Sequence, residues 1–233
     1  MDGTCCELFV KVFTLQSIPQ EQALSVISSF VDHALVDDSE WCKLHLDHGY
    51  KGYTFSSLYR PEKSGTYRKE NIYQILIRTE NHKLAQYLAD TLPKQETTYL
   101  KGLVSNIRMV PQRHITTLYT LTPVIVKGQN GGYWRDSMTF DEFGQRLKDN
   151  LVKKYKAIRQ EDLQEDFMFW NLLEITNRSP IAVPYKGIKL LGDKVQIQVS
   201  DHPSAQKLAY IALGAGAGEM NSRGMGYVNC HFI

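Results

Sequence analysis

The spacing of hydrophobic residues along the chain switches several times between a strand-like and a helix-like period. This switching constrains the fold more than any other feature. Apolar and polar side chains alternate in residues 7–15 and 72–79, as on a half-buried strand. In residues 21–35 the apolar positions recur every three or four residues, as on an amphipathic helix. For the first half we predict strand 7–15, helix 21–35, a polar loop, strands 53–59 and 72–79, helix 82–92 and strand 99–110. This β-α-β-β-α-β order is that of a ferredoxin-like domain, which also underlies many RNA-recognition folds.

The same order of elements returns in the second half. We predict a strand at 115–127, a helix capped by Thr139 and Glu142, two or three strands within 167–199, a helix opened by Pro203 and a terminal strand. No literal sequence repeat links the halves, so the duplication rests on element order alone. We therefore predict an α+β chain of two tandem ferredoxin-like (RNA-recognition-motif-like) domains, residues 1–113 and 114–233, with a C-terminal glycine-rich loop.

The composition is that of a globular protein and excludes several classes. With 233 residues, of which 42% are hydrophobic and 22% charged, the chain can bury a core without disulfides. No apolar run reaches the roughly 18 residues of a membrane span, and the first residues lack the bases of a signal peptide, so we expect a cytoplasmic protein. The four cysteines contain no Cys-x-x-Cys pair, and we predict no metal site and no cofactor.

The net charge is only +2, from 27 Lys and Arg against 25 Asp and Glu. A site for a polyanion must therefore come from local segregation of charge. One such segregation is in residues 146–159, which hold six bases and one acid. Arg68, in the basic loop 60–69, and Arg108, on a predicted strand, are further candidates for phosphate contact.

The most informative segment is a glycine-rich loop at residues 214–228. It holds five glycines together with Asn221, Ser222 and Arg223; the glycines are Gly214, Gly216, Gly218, Gly224 and Gly226. Glycine lets backbone amides approach a phosphate closely, and an arginine adds a bidentate contact. The loop follows a helix and enters a strand, which is the reverse of a dinucleotide fingerprint, and the Gly-Lys-Ser/Thr of a P-loop is absent. A tight helix-to-strand connection without a ligand explains the glycine spacing equally well.

Three blocks of the sequence resemble the CRISPR repeat-RNA endoribonucleases, which excise guide RNAs from a precursor transcript. GAGEMNSRGMGYV resembles the C-terminal glycine-rich signature of that family. LTPVIVKGQNGGYW and the helix after it resemble a second family block, and LHLDHGYKGYTFSSL resembles a third. The blocks occur in the family's order and cover both halves. The resemblance implies an RNA-binding nuclease of tandem ferredoxin-like domains, whose glycine loop lies in the cleft between them.

The resemblance also implies a catalytic site. It places the catalytic histidine at His45 and a lysine of the site at Lys51, whereas Phe30 occupies the position of a tyrosine found in some members. Histidine suits proton transfer at neutral pH, and cleavage of RNA without a metal needs a base, an acid and a cation for the phosphorane. Because the tyrosine is absent, His48 or His33 could supply the second proton-transfer group.

We therefore predict a metal-independent endoribonuclease that cleaves precursor CRISPR RNA by attack of the 2′-hydroxyl, leaving a 2′,3′-cyclic phosphate and a 5′-hydroxyl. The implied partners are the repeat RNA and other CRISPR-associated effector subunits, with the chain a monomer or homodimer. Two alternatives stay open. One is a non-catalytic subunit that holds repeat RNA, and the other is an enzyme that binds a nucleotide through the glycine loop.

Overall fold

The first half of the chain builds one four-stranded antiparallel sheet covered by helices on one face. The computed structural model describes residues 5–46, 49–164 and 166–233. The elements in chain order are β1 (Cys6–Thr14), β2 (Ile18–Pro19), α1 (Ala23–Val36), α2 (Ser39–Leu46), β3 (Tyr53–Phe55), β4 (Thr66–Tyr67), β5 (Ile72–Thr79), α3 (His82–Thr91) and β6 (Leu100–Met109). The sheet has the order β3-β5-β1-β6, and β2 and β4 form a small separate pair.

The second half repeats this arrangement. Its elements are β7 (Ile115–Thr120), α4 (Phe140–Arg159), β8 (Trp170–Ile175), β9 (Ile181–Tyr185), β10 (Ile188–Gly192), β11 (Val195–Val199), α5 (Pro203–Ala215) and β12 (Val228–Phe232). The sheet order is β12-β7-β11-β8, while β9 and β10 form a hairpin of their own. In both halves the fourth strand of the β-α-β-β-α-β unit lies beside the first and the third lies between the first and second. This order confirms the predicted tandem ferredoxin-like fold.

Two cores lie between the sheets and their helices. The first is built on Leu8, Val10 and Ile77 of the sheet and on Ile27 and Phe30 of α1, all of them buried. The second contains the apolar stripe that the sequence predicts for α4, at Phe143, Leu147, Leu151 and Tyr155. Thr139 and Glu142 close the predicted capping box at the start of α4. Among the described residues, no helix is long and apolar enough to cross a membrane.

Two local predictions were wrong. The polar loop predicted before residue 53 contains α2, an eight-residue helix. The Asp38 carboxylate accepts backbone N–H bonds at the start of α2, and Trp41 anchors the helix against Tyr87, with 5.7 Å between the ring centroids. The strand predicted for 115–127 ends at Thr120. Pro123 has no backbone N–H to donate to a neighbouring strand, so the strand does not continue through it. Its carbonyl accepts a hydrogen bond from the N–H of Gly226 in the glycine-rich segment.

Buried polar contacts join the two halves. Glu7 is fully buried between two arginines of neighbouring strands, with Arg78 Nη2 2.7 Å and Arg108 Nη2 2.5 Å from its carboxylate. Arg78 also donates to the carbonyl of Val228 in β12, at 2.5 Å. An ion pair across the two halves links Glu80, which precedes α3, to Arg159 at the end of α4. The division of the chain at residue 113 stays a prediction; it lies in the segment between β6 and β7.

Candidate RNA-binding and catalytic site

The glycine-rich segment is wedged between the two halves. It leaves α5 at Ala215, forms a short 3-10 turn at Asn221–Arg223 and enters β12. Gly226 has φ +64° and passes so close to the carbonyl of Ala217 that a Cβ atom would lie 1.9 Å from the oxygen. At Gly224, with φ +81°, a Cβ would lie 2.5 Å from Phe55 of β3. Only glycine fits these two positions, because both combine a left-handed backbone with a close approach.

A buried lysine holds this segment from the inside. Lys154 reaches from α4 and donates hydrogen bonds to Gly216 O at 2.8 Å, Gly218 O at 2.7 Å and Asn221 Oδ1 at 2.6 Å. The Asn221 amide then donates back into the segment, to the carbonyls of Ala217 and Met225. Burial lowers the pKa of Lys154 to about 7, and the Glu219 carboxylate only partly opposes this. The path of the segment is therefore fixed by side chains rather than by a regular element.

Most glycine amides of the segment have partners within the protein. The N–H groups of Gly216, Gly224 and Gly226 donate to the carbonyls of Ala212, Asn221 and Pro123. The glycine residues themselves are buried, whereas residues 219, 220, 222 and 223 are partly exposed. We call residues 219–223 the polar link. The structure thus gives the glycines a shaping role and leaves the polar link partly exposed, except for the buried Asn221.

Two cavities meet beside the polar link. The α1 cavity has a volume of about 580 Å³ and includes Asp32 and His33 in its lining. The basic cavity, of about 690 Å³, has five Lys and Arg side chains in its described lining against one acid: Lys51, Lys153, Lys154, Lys186 and Arg223 against Glu219. His45, Tyr185, Lys186 and Arg223 line both cavities. The local excess of positive charge, which the net charge of +2 conceals, lies here.

His45 lies in the last turn of α2, where the two cavities join. Its Nδ1 is 3.2 Å from Oδ1 of Asp32 on α1, and both side chains are about one-fifth exposed (22% and 21%). Lys51 donates from Nζ to the carbonyls of Leu44 at 2.5 Å and His45 at 2.6 Å, so its ammonium satisfies the C-terminal end of α2. The predicted pair His45 and Lys51 is therefore brought together, with Lys51 bound to the helix end that carries His45.

Arg223 connects the polar link to α1. Its guanidinium contacts the carboxylate of Asp32 and donates to Ser28 Oγ at 2.6 Å. Burial disfavours its charged form, but the hydrogen bond and charge of Asp32 outweigh burial and raise the pKa of Arg223. Asp32 thus contacts two predicted site residues, His45 from the first half of the chain and Arg223 from the second.

Other predicted residues lie elsewhere. Arg68 is exposed and pairs with Glu62 at 3.6 Å, outside both cavities. Arg108 also lies outside both, on the open face of the first sheet, with its guanidinium 4.5 Å from the centroid of the Phe9 ring. Gly214 is buried in the last turn of α5. His48 lies outside the described residues.

Two further predicted positions belong to α1. Phe30, at the position of the family's tyrosine, is fully buried in the first core. His33 is exposed and lines the α1 cavity.

Sequence reasoning missed Asp32 and Lys186, and it placed Lys154 in the basic run 146–159 without its buried role. Lys154 interrupts the apolar stripe of α4 three residues after Leu151, and a base on a buried face was the available signal. Lys186 occupies the two-residue turn of the β9–β10 hairpin with Gly187, a position that carries no signal of its own. Asp32 could be found only from its contacts. Among the described residues, no cluster of three or more His, Cys, Asp and Glu side chains could hold a metal ion.

The chain is similar to known proteins in both sequence and fold. The family model "CRISPR associated protein Cas6, C-terminal" matches residues 106–230, which is more than half of the chain. The chain belongs to the Cas6 family of CRISPR-associated endoribonucleases. The matched region of this Cas6 member includes α4, the β9–β10 hairpin and the whole glycine-rich segment.

Relatives cover both halves of this Cas6 chain. The protein "CRISPR-associated endoribonuclease Cas6 2" of Methanocaldococcus jannaschii is 24% identical over 220 residues, which are 87% of this chain and 90% of the relative. A solved "CRISPR associated protein Cas6" superposes with a TM-score of 0.70 at 19% identity, covering 97% of this chain and 99% of that one. A solved "RAMP protein binding different RNA substrates" superposes with a TM-score of 0.72 at 17% identity and the same coverage. These superpositions confirm the fold over nearly the entire chain.

Proposed function

We propose that this Cas6 protein cleaves the repeats of precursor CRISPR RNA into guide units by metal-independent transesterification. The observation that carries the proposal is the meeting of a histidine from the first half with an arginine from the second, beside a cavity rich in lysine. The M. jannaschii relative is named an endoribonuclease, and one solved relative is named for binding RNA. Both names support the same substrate class for this chain.

In this proposal the 2′-hydroxyl of the nucleotide before the cut attacks the adjacent phosphorus. The oxygen–phosphorus bond to the next nucleotide breaks, which leaves a 2′,3′-cyclic phosphate and a 5′-hydroxyl. His45 acts as general base or general acid, because its ring lies where the two cavities join and imidazole exchanges protons near neutral pH. His33 and His48 stay candidates for the second proton transfer.

The developing negative charge of the phosphorane needs a fixed cation nearby. Arg223 is the first choice, because Asp32 and Ser28 occupy one terminal nitrogen of its guanidinium and the group has further N–H donors. Lys51 adds positive charge while it holds the end of α2 under His45. Together the two side chains would supply the positive charge that the transition state needs.

We assign RNA binding to the basic cavity and the polar link. Lysine and arginine side chains neutralise phosphates, so affinity for the repeat should fall steeply as salt rises. The glycines hold the link in place, and Ser222 and Arg223 offer polar groups at its exposed side. Association with other CRISPR-associated subunits, and the choice between monomer and homodimer, stay predictions.

Single-turnover cleavage of the repeat RNA of the host's own CRISPR array, in EDTA, tests the proposal. His45→Ala should lower the rate by at least about 100-fold with little change in RNA affinity. His114→Ala is the matched control, since His114 also pairs with an aspartate, Asp201 at 2.9 Å, but lies outside both cavities. If the wild-type protein binds the repeat tightly and leaves it intact in EDTA and in magnesium, the non-catalytic alternative is correct.

A further inference from the structure

One carboxylate in the site contacts both proposed reaction groups and has no role in the chemistry described so far. Asp32 lies on the face of α1 that also carries Ser28, one helical turn earlier. Its Oδ1 faces Nδ1 of His45 at 3.2 Å, and its Oδ2 contacts Arg223. The three side chains come from α1, α2 and the polar link, so they belong to three separate parts of the sequence.

We propose that Asp32 is the positioning residue of the reaction centre, which fixes His45 and Arg223 in one arrangement. This inference rests on the proposed function. It also adds that the centre forms only when the polar link of the second half is seated against α1 of the first half. Asp32 itself contacts no substrate atom.

The first part of the argument concerns the imidazole. Oδ1 of Asp32 is buried without a hydrogen-bond partner and lies 3.2 Å from Nδ1 of His45, so a small rotation of the ring would let it accept the N–H of that nitrogen. That bond would select the tautomer in which Nε2 carries the lone pair. It also stabilises the charged ring that forms when Nε2 takes a proton, as a second partner does for other functional histidines. Asp32 is only about one-fifth exposed, which limits competition from water for this contact.

The second part concerns the guanidinium. A free arginine side chain samples many rotamers, and fixing one of them on substrate binding costs conformational entropy. The contacts with Asp32 and Ser28 fix one end of the group in advance. Its remaining N–H donors keep the fork geometry that suits a phosphate.

The test compares Asp32→Asn with Asp90→Asn, a carboxylate on α3 that accepts from Gln86 on the same helix and lines neither cavity. Asp32→Asn should lower the saturating single-turnover rate by about 10- to 100-fold while the Kd for repeat RNA changes less than about threefold. Asp90→Asn should change neither. In a His45→Ala background, Asp32→Asn should cause a smaller loss, because the contact with His45 is gone and only the contact with Arg223 remains.

Nitrogen-15 spectra of the imidazole provide a readout independent of cleavage. Wild-type protein should show His45 with its proton on Nδ1, and Asp32→Asn should shift the ring toward the other tautomer. Asp32→Glu serves as a second variant in case Asp32→Asn folds poorly. Because it keeps the charge, it should retain part of the wild-type rate. The inference is overturned if Asp32→Asn cleaves at the wild-type rate, loses equally in the His45→Ala background, or leaves the spectrum unchanged. If His45→Ala itself cleaves normally, the proposed function fails, whereas the spectrum still decides whether Asp32 positions the ring.

Discussion

Replacing Lys154 by methionine tests whether the glycine-rich segment depends on one buried ammonium. Methionine keeps the length and apolar stem of the side chain and removes its three donors. The carbonyls of Gly216 and Gly218 and the Asn221 side chain would each lose the bond from Nζ. At about 1 kcal/mol for each buried acceptor left unsatisfied, the free energy of unfolding should fall by roughly 3 kcal/mol.

Urea denaturation measures this loss. With an m-value of about 2.5 kcal/mol/M, the midpoint should move down by about 1 M. Lys153→Met is the matched control, because Lys153 is the neighbouring lysine on α4 and its side chain is exposed. It should shift the midpoint by less than about 0.2 M, since surface substitutions change stability by up to about 0.5 kcal/mol. Equal shifts for the two variants would refute the structural role of Lys154.

The difference in the free energy of unfolding between wild type and Lys154→Met should also depend on pH, because Lys154 titrates. In the unfolded chain the amine is protonated up to its ordinary pKa of 10.5, whereas burial lowers the pKa in the folded protein to about 7. Between these values the unfolded state binds more protons, so wild-type stability rises with pH relative to Lys154→Met. The gap should therefore widen from pH 6.5 to pH 9, on the order of 2 kcal/mol. A gap that stays constant would show that the amine keeps its proton in the fold.

Three further predictions concern other buried groups. Burial raises the pKa of Glu80 to about 7, so its contribution to stability is complete below about pH 4.5 and is lost as the pH rises through 7. Thermal unfolding should show wild type losing on the order of 3 kcal/mol relative to Glu80→Gln between pH 4.5 and 8. Glu7→Gln should cost about 3–5 kcal/mol in guanidinium unfolding, because Arg78 stays buried without its carboxylate; a cost below about 1 kcal/mol would contradict this. Gly226→Ala should cost at least about 3 kcal/mol, whereas Gly132→Ala, with open space around its Cβ position, should change stability by less than about 0.5 kcal/mol in the same assay.

Local patterns predicted most elements of the fold. Strand β5 begins and ends where the alternation of residues 72–79 does, and the capping box at Thr139 marks the start of α4. These features succeed because their information lies within a few neighbouring residues. Helix α2 was not predicted, because the information that specifies it is not local. Its eight residues show only a weak apolar stripe, and the helix depends on the contact of Trp41 with α3.

The candidate site could be predicted only in part. The resemblance gave His45, Lys51 and the glycine-rich segment, because these lie in recognisable blocks of sequence. The roles of Asp32 and Lys154 were missed, since they come from partners 191 and 62 to 67 positions away. The base within the apolar stripe of α4 was the available signal for Lys154, whereas Asp32 could be found only from its contacts. The assignment of roles to the site residues stays a prediction until the variants are measured.

The contact between Asp32 and Arg223 also has a consequence for biosynthesis. The ribosome makes the two side chains 191 residues apart, so the contact cannot form until nearly all of the described chain has been synthesised. Until then, α1 and α2 can fold with the rest of the first half, but the site lacks Arg223. A nascent chain should therefore present His45 and Lys51 without being able to cut RNA. Two fragments separated within residues 110–114 would have to reassociate before either could contribute to cleavage.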